Sequence, residues 1–161
     1  MRRRDNGFTL IELLIVVAII GLLAAIAIPN LLTAIQRAKQ KRTMADVRSM
    51  ANAWEARATD NNTYFVGGLS VAGADVTVRD TANVVAQLTP TYIKSLPAED
   101  GWANAYNFMT DDDGANYAVV SAGRDKLFQT SIVPGATTDF DCDVVYSNGA
   151  FVQYPDGLQT Q

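Results

Sequence analysis

The stretch GFTLIELLIVVAIIGLLAAIAIPN, residues 7–30, decides how this chain is read. From residue 8 to residue 28 its one charged side chain is Glu12. An α-helix needs about 20 apolar residues to cross roughly 30 Å of hydrocarbon, so the stretch predicts a membrane span. The competing reading is an ordinary secretory signal, whose apolar core is only about 7 to 15 residues and ends at a small-x-small site. Here the core is longer and AAIAIP runs on into more helical pattern, so the segment is expected to be retained.

Glu12 then needs an explanation. An acid at the centre of a transmembrane helix costs about 2.5 to 3.5 kcal/mol on insertion scales, so such residues usually have a role and a partner. Glu12 lies near one end, where the cost is smaller and an acid snorkelling to the interface is the bland alternative. No Lys or Arg stands one turn away inside the span, so its partner is expected from another chain.

Beyond the span, NLLTAIQRAKQKRTMADVRSMANAWEARATDN keeps a helical period. Leu31, Leu32 and Ile35, then Val47, Met50, Ala51, Trp54 and Ala58, recur at spacings of three and four, with charged residues on the other faces. The pattern predicts one helix from residue 8 to about residue 59, roughly 78 Å if straight. Pro29 removes an N–H and crowds the preceding turn, so a kink or a locally melted segment is expected there.

From residue 61 the composition shifts to Gly, Asp, Asn, Thr and β-branched residues. NNTYFVGGLSVAGADVTVRD, residues 61–80, reads as loop-rich with one short strand. Strands are predicted at 76–79, 106–110, 117–121, 143–147 and 150–154, and a short helix from a Thr81 cap that Pro90 stops. Asn148-Gly149, between two alternating runs, is the favoured two-residue hairpin turn. TDDDGAN, residues 110–116, lacks the remaining acids of an EF-hand loop and reads as another hairpin turn. The fold class is thus α+β, a small antiparallel sheet covered by a long helix. Trp54 and Trp102 are read as packing residues.

Composition narrows the function. Apolar residues make up 48% of the 161, but they crowd into the first thirty; basic residues crowd into the first half and aspartates into the last third. The net charge of −4 therefore describes no single surface, and a pI of 4.7 argues against nucleic acid as a partner. With no histidine, His-based catalysis and His-ligated zinc are excluded. Cys142 is the single cysteine, so no intramolecular disulfide forms, and it reads as a small buried apolar side chain. No nucleophile stands with a base and no glycine-rich loop cradles a phosphate, so the chain is not expected to be an enzyme.

RRRDNGFTLIELLIVVAIIGLLAAIAIPN resembles the leader and N-terminal helix of type IV pilins and of the pseudopilins of type II secretion. That resemblance implies cleavage between Gly7 and Phe8 by a prepilin peptidase and N-methylation of the new Phe8 amine. It also gives Glu12 a partner. Cleavage creates an amine four residues before Glu12, about 6 Å along a helix, and in family filaments this Glu is thought to neutralise the amine of a neighbouring subunit. Opposite charges in low dielectric attract strongly, whereas either alone suffers desolvation. The expected organisation is a leader at 1–7, a transmembrane and filament-core helix at 8–29, its amphipathic continuation at 30–60 and a β-rich head at 61–161. Residues 31–35 would pack on sister subunits and 47–58 on the chain's own head. Arginines 2–4 and the basic residues 37–42 flank the span on both sides, so charge leaves the orientation open; the resemblance implies a cytoplasmic N-terminus and a periplasmic head.

Within the head, LTPTYIKSLPAEDGWANAYNF and YAVVSAGRD are similar to segments of the major pseudopilin branch, P-x-Y-I-x-x-L-P, D-x-W-x-N-x-Y and Y-x-I-x-S-x-G-x-D. TTDFDCDVVY stands where that branch has an acidic calcium loop, which implies calcium at Asp125, Asp141 and Asp143 with Asp139 as a substitute. Here Lys126 replaces a glycine and the loop between Gly123 and Asp141 is not glycine-rich. The expected function is a structural subunit of a helical filament, the major pseudopilin of a type II secretion system, with a type IV pilin for adhesion, twitching or DNA uptake as the alternative. Its implied partners are copies of itself, a prepilin peptidase, an inner-membrane assembly platform, minor subunits and inner-membrane lipid.

Overall fold

A computed structural model describes residues 7–65, 76–79, 81–111, 113–129, 131–157 and 159. Residues 1–6 of the expected leader and residues 66–75 and 80 of the expected loop-rich stretch lie outside the described residues. The chain divides into two compact units, Met1–Gln36 and Arg37–Gln161.

Helix α1 runs from Leu10 to Asn61 with Pro29 inside it. Pro29 leaves the Ala25 carbonyl without its helical donor, yet the local melting anticipated there is not seen. Side chains supply extra donors around it: Asn30 Nδ2 donates to the Ile26 carbonyl at 3.0 Å and Thr33 Oγ1 to the Pro29 carbonyl at 3.1 Å. In the first unit the apolar side chains of α1 face outward; Leu14, Ile15, Leu22 and Ile28 are all exposed. In the second unit α1 buries Gln40, Thr43, Val47, Met50, Ala51, Trp54 and Ala58, a stripe at the expected three-and-four spacing.

That stripe meets a six-stranded sheet. In chain order come β1 (Val76–Arg79), helix α2 (Thr81–Leu88), β2 (Asn107–Asp111), β3 (Tyr117–Ser121), β4 (Gly135–Thr137), β5 (Val144–Ser147) and β6 (Ala150–Pro155). Their order across the sheet is β1-β2-β3-β5-β6-β4. All neighbours are antiparallel except β4, which pairs with β6 in parallel. The five expected strands are present, with β2 starting at Asn107 and β5 at Val144. Strand β4 escaped the sequence reading because Gly-Ala-Thr carries no alternation to read.

The core of the second unit forms between the inner face of the sheet and α1. Trp54 is fully buried, its ring 5.6 Å from Phe108 and 5.3 Å from Tyr117 between centroids. Its indole N–H is not stranded, since it donates to the Tyr64 carbonyl at 3.0 Å. Val84 and Leu88 of α2 join the same cluster with Val119 and Tyr146. Trp102 is buried as expected, whereas Cys142 is only half-buried.

The turns follow their chemistry. Asn148 and Gly149 have φ of 49° and 88°, the pair of positive values that a type I′ hairpin demands. Between β2 and β3 the acidic turn is also a hairpin: Asp111 Oδ1 accepts from Asn116 N at 3.0 Å and Gly114 takes φ of 67°. These backbone hydrogen bonds hold the Asp111 carboxyl below the usual carboxylate range.

Candidate functional site

Two places carry the residues singled out from the sequence. The first is the start of α1. Gly7, Phe8 and Thr9 precede the helix in irregular backbone and Phe8 is exposed. Glu12 lies one turn on, and its hydrogen-bond partner is within its own chain. Its Oε2 accepts from the Thr9 N–H at 2.9 Å and from Thr9 Oγ1 at 2.7 Å, while Glu12 N–H reaches Thr9 Oγ1 at 3.3 Å. This is the reciprocal capping box of Thr-x-x-Glu, in which two orphan donors of the first turn are satisfied by two side chains. The expectation that any partner must come from another chain is corrected to that extent. The sequence signal for the box is T-L-I-E ahead of an apolar run. Thr9 spends no charge on Glu12, so a cation can still be added beside it.

The second place is the neck of the loop between β3 and β5. Here the four aspartates proposed for calcium do not converge. Both oxygens of Asp141 face Arg124, with Nε to Oδ1 at 2.6 Å and the terminal nitrogen to Oδ2 at 2.8 Å. This guanidinium holds the Asp141 carboxyl below its ordinary range. Asp125 Oδ1 caps its own turn by accepting from Leu127 N at 2.9 Å, and Asp139 Oδ1 accepts from Asp141 N at 3.0 Å. Asp143 points inward, its Oδ2 accepting from Gln129 N at 3.0 Å and its Oδ1 buried without a hydrogen-bond partner. Burial pushes the Asp143 carboxyl up to about 6. Calcium takes about 6 to 8 oxygens, and among the described residues no three acidic, His or Cys side chains gather to hold a metal. The donor set does not fit a calcium ion as it stands.

Four residues to which the sequence alone assigns no role organise this half of the head: Asp100, Asn104, Gly101 and Arg124. Asp100 is buried and accepts from Trp102 N at 2.8 Å, Asn104 N at 2.9 Å and Ser121 Oγ at 2.7 Å. It is the hub of the D-x-W-x-N turn and ties that turn to β3. Asn104 then donates to the Gly123 carbonyl at 2.8 Å, at the mouth of the acidic loop. On the helix side Gly101 lies so close to α1 that a Cβ would stand 2.4 Å from the Lys39 carbonyl oxygen. Its N–H donates to Thr43 Oγ1 at 2.9 Å. The fourth residue is Arg124, whose guanidinium faces Asp141.

A long helix, apolar through its first half and packed through its second half on a small, mostly antiparallel sheet, defines a pilin-like protein. A family model described as the prokaryotic N-terminal methylation motif matches residues 2–28, and one described as type II secretion system protein G matches residues 30–141. The chain belongs to the type II secretion system protein G family. It is 33% identical over 125 residues to the type II secretion system core protein G of Vibrio cholerae, covering 76% of this chain and 83% of that one. The same-named protein of Escherichia coli K12 gives the same identity and coverage, and that of Aeromonas hydrophila is 31% identical over 127 residues, 77% of this chain and 86% of the relative. No solved structure gives a significant match.

Proposed function

We propose that this chain is the repeating subunit of the filament of a type II secretion system, polymerised through residues 8–35. One observation carries the reading: an apolar helical segment, its large apolar side chains all exposed in the single chain, begins beside exposed Gly7 and Phe8 and holds one carboxylate. A segment of this kind is stable in lipid or against other copies of itself, because exposing so much apolar surface to water is unfavourable. The family supports a secretion filament over a surface pilus.

In this reading a prepilin peptidase cuts between Gly7 and Phe8 on the cytoplasmic side and the Phe8 amine is methylated. The processed subunit waits in the inner membrane with its head in the periplasm. Glu12 is first held by Thr9. On entry into the filament it takes up the positive amine of a neighbouring subunit, and the charge pair sets the axial register. The assembly platform and minor subunits deliver and start the filament, and the chain does no chemistry itself.

The test is Glu12→Val in cells that secrete. Membrane insertion should persist, because removing a charge from the span eases it, while cross-linked multimers and secretion should be lost. Mass spectrometry of the processed protein should find Phe8 at the N-terminus carrying one methyl group. Normal multimer yield from Glu12→Val, or a mature chain still carrying residues 1–7, would overturn the proposal.

A further inference from the structure

The loop from Gly123 to Asp143 leaves β3 and returns to β5 through a narrow neck, and the question is what closes it. Gly123 has φ of 69°, and a Cβ there would lie 2.8 Å from the Cys142 carbonyl oxygen and 2.9 Å from that of Phe140. The two sides of the neck are therefore in backbone contact. Arg124 N donates to the Phe140 carbonyl at 3.0 Å, and its guanidinium carbon sits 5.8 Å from the centre of the Phe140 ring. The same guanidinium forks onto both oxygens of Asp141. Deeper in, Gln129 crosses the loop: its side-chain oxygen accepts from Gln153 Nε2 at 2.6 Å, and its N–H reaches Asp143. Gln153 Oε1 in turn accepts from Val133 N at 3.0 Å.

We propose that Arg124 closes this loop in the place of a metal ion, so that the head carries its own countercharge and folds independently of calcium. A planar guanidinium matches a carboxylate with two parallel hydrogen bonds, which fixes geometry as well as charge. With Arg124 in that place, a divalent cation at Asp141 would meet a like charge at close range. The cross-loop amides of Gln129 and Gln153 do the rest of the bridging that a cation with many oxygen ligands would do. Among the described residues of this loop, the buried oxygen without a hydrogen-bond partner is Asp143 Oδ1, and it belongs to a side chain whose other oxygen is already engaged. A single such oxygen is no cage.

The test uses the full chain in detergent micelles. Thermal unfolding of the head is followed in millimolar calcium and in excess chelator, and calcium uptake is measured directly by equilibrium dialysis. The wild type should melt at the same temperature in both and take up no stoichiometric calcium. Arg124→Gln should lower the midpoint by about 2 to 4 °C in either solution. Asp141→Asn should do the same, and the double variant should lose no more than either single one. A calcium-dependent rise in the wild-type midpoint, stoichiometric uptake, or fully additive losses in the double variant would overturn the proposal. The wild-type measurements stand even if a variant fails to fold, and filament assembly enters none of these readouts.

Discussion

Helix α1 is one element with two fates. Over residues 10–36 its apolar side chains face outward; over residues 37–61 one stripe is buried against a sheet and most of the other side chains are polar. Leu31 is 61% exposed and Trp54 is 0% exposed, although both are large apolar residues of the same helix. The difference teaches that helix formation and helix burial are separate matters here. The second stretch is stabilised by its own chain, whereas the first depends on lipid or on other copies.

The sharpest way to break that contrast is at Trp54. Trp54→Ala removes a fully buried ring from between Phe108 and Tyr117 and should cost about 3 to 5 kcal/mol of head stability, read from denaturant unfolding of the full chain in detergent. A loss under about 1 kcal/mol would mean that the stripe is not the core. Gly101→Ala tests the same face from the other side. Its added methyl would overlap the Lys39 backbone, where nothing flexible can give way, so a loss of about 1 to 3 kcal/mol is expected in the same assay.

Asp143 gives a pH-dependent version. Its folded carboxyl titrates near 6, above its ordinary value of 3.8. The folded state therefore holds that proton more tightly than the unfolded chain does. Its contribution is fully present below about pH 4 and is lost as pH rises through about 6. Asp143→Asn should accordingly gain on the wild type by about 1 to 3 kcal/mol between pH 4 and pH 7.5, seen by comparing the two denaturation midpoints at each pH. A difference that does not change with pH would show that Asp143 is not buried in this way. The smallest effect belongs to the other end of the helix. Leu14→Ala should leave the unfolding of the head unchanged within about 0.5 kcal/mol, and a larger shift would erase the distinction between the two stretches.

Much of this architecture was readable because it rests on local pattern. The apolar run, the three-and-four stripe ending at Ala58, the Thr81 start of α2 and the Asn148-Gly149 turn each depend on residues within a few positions of one another. At Pro29 the helix does not melt. A proline weakens a helix, but Asn30 and Thr33 offer side-chain donors beside it, and the helix continues. The Thr9–Glu12 box is equally local, because a capping box needs only a Thr and a Glu three residues apart.

What the sequence by itself determined is the identity of the anchor, the helix and most of the strands, because backbone preference and burial pattern act over short range. Only the tertiary structure decided where the acids of the head go. Arg124 and Asp141 are 17 residues apart, Asp100 and Ser121 are 21 apart and Gln129 and Gln153 are 24 apart. No periodicity links such pairs. Whether an aspartate binds a cation, caps a turn or faces a guanidinium depends on which distant donor the folded chain brings within about 3 Å of it.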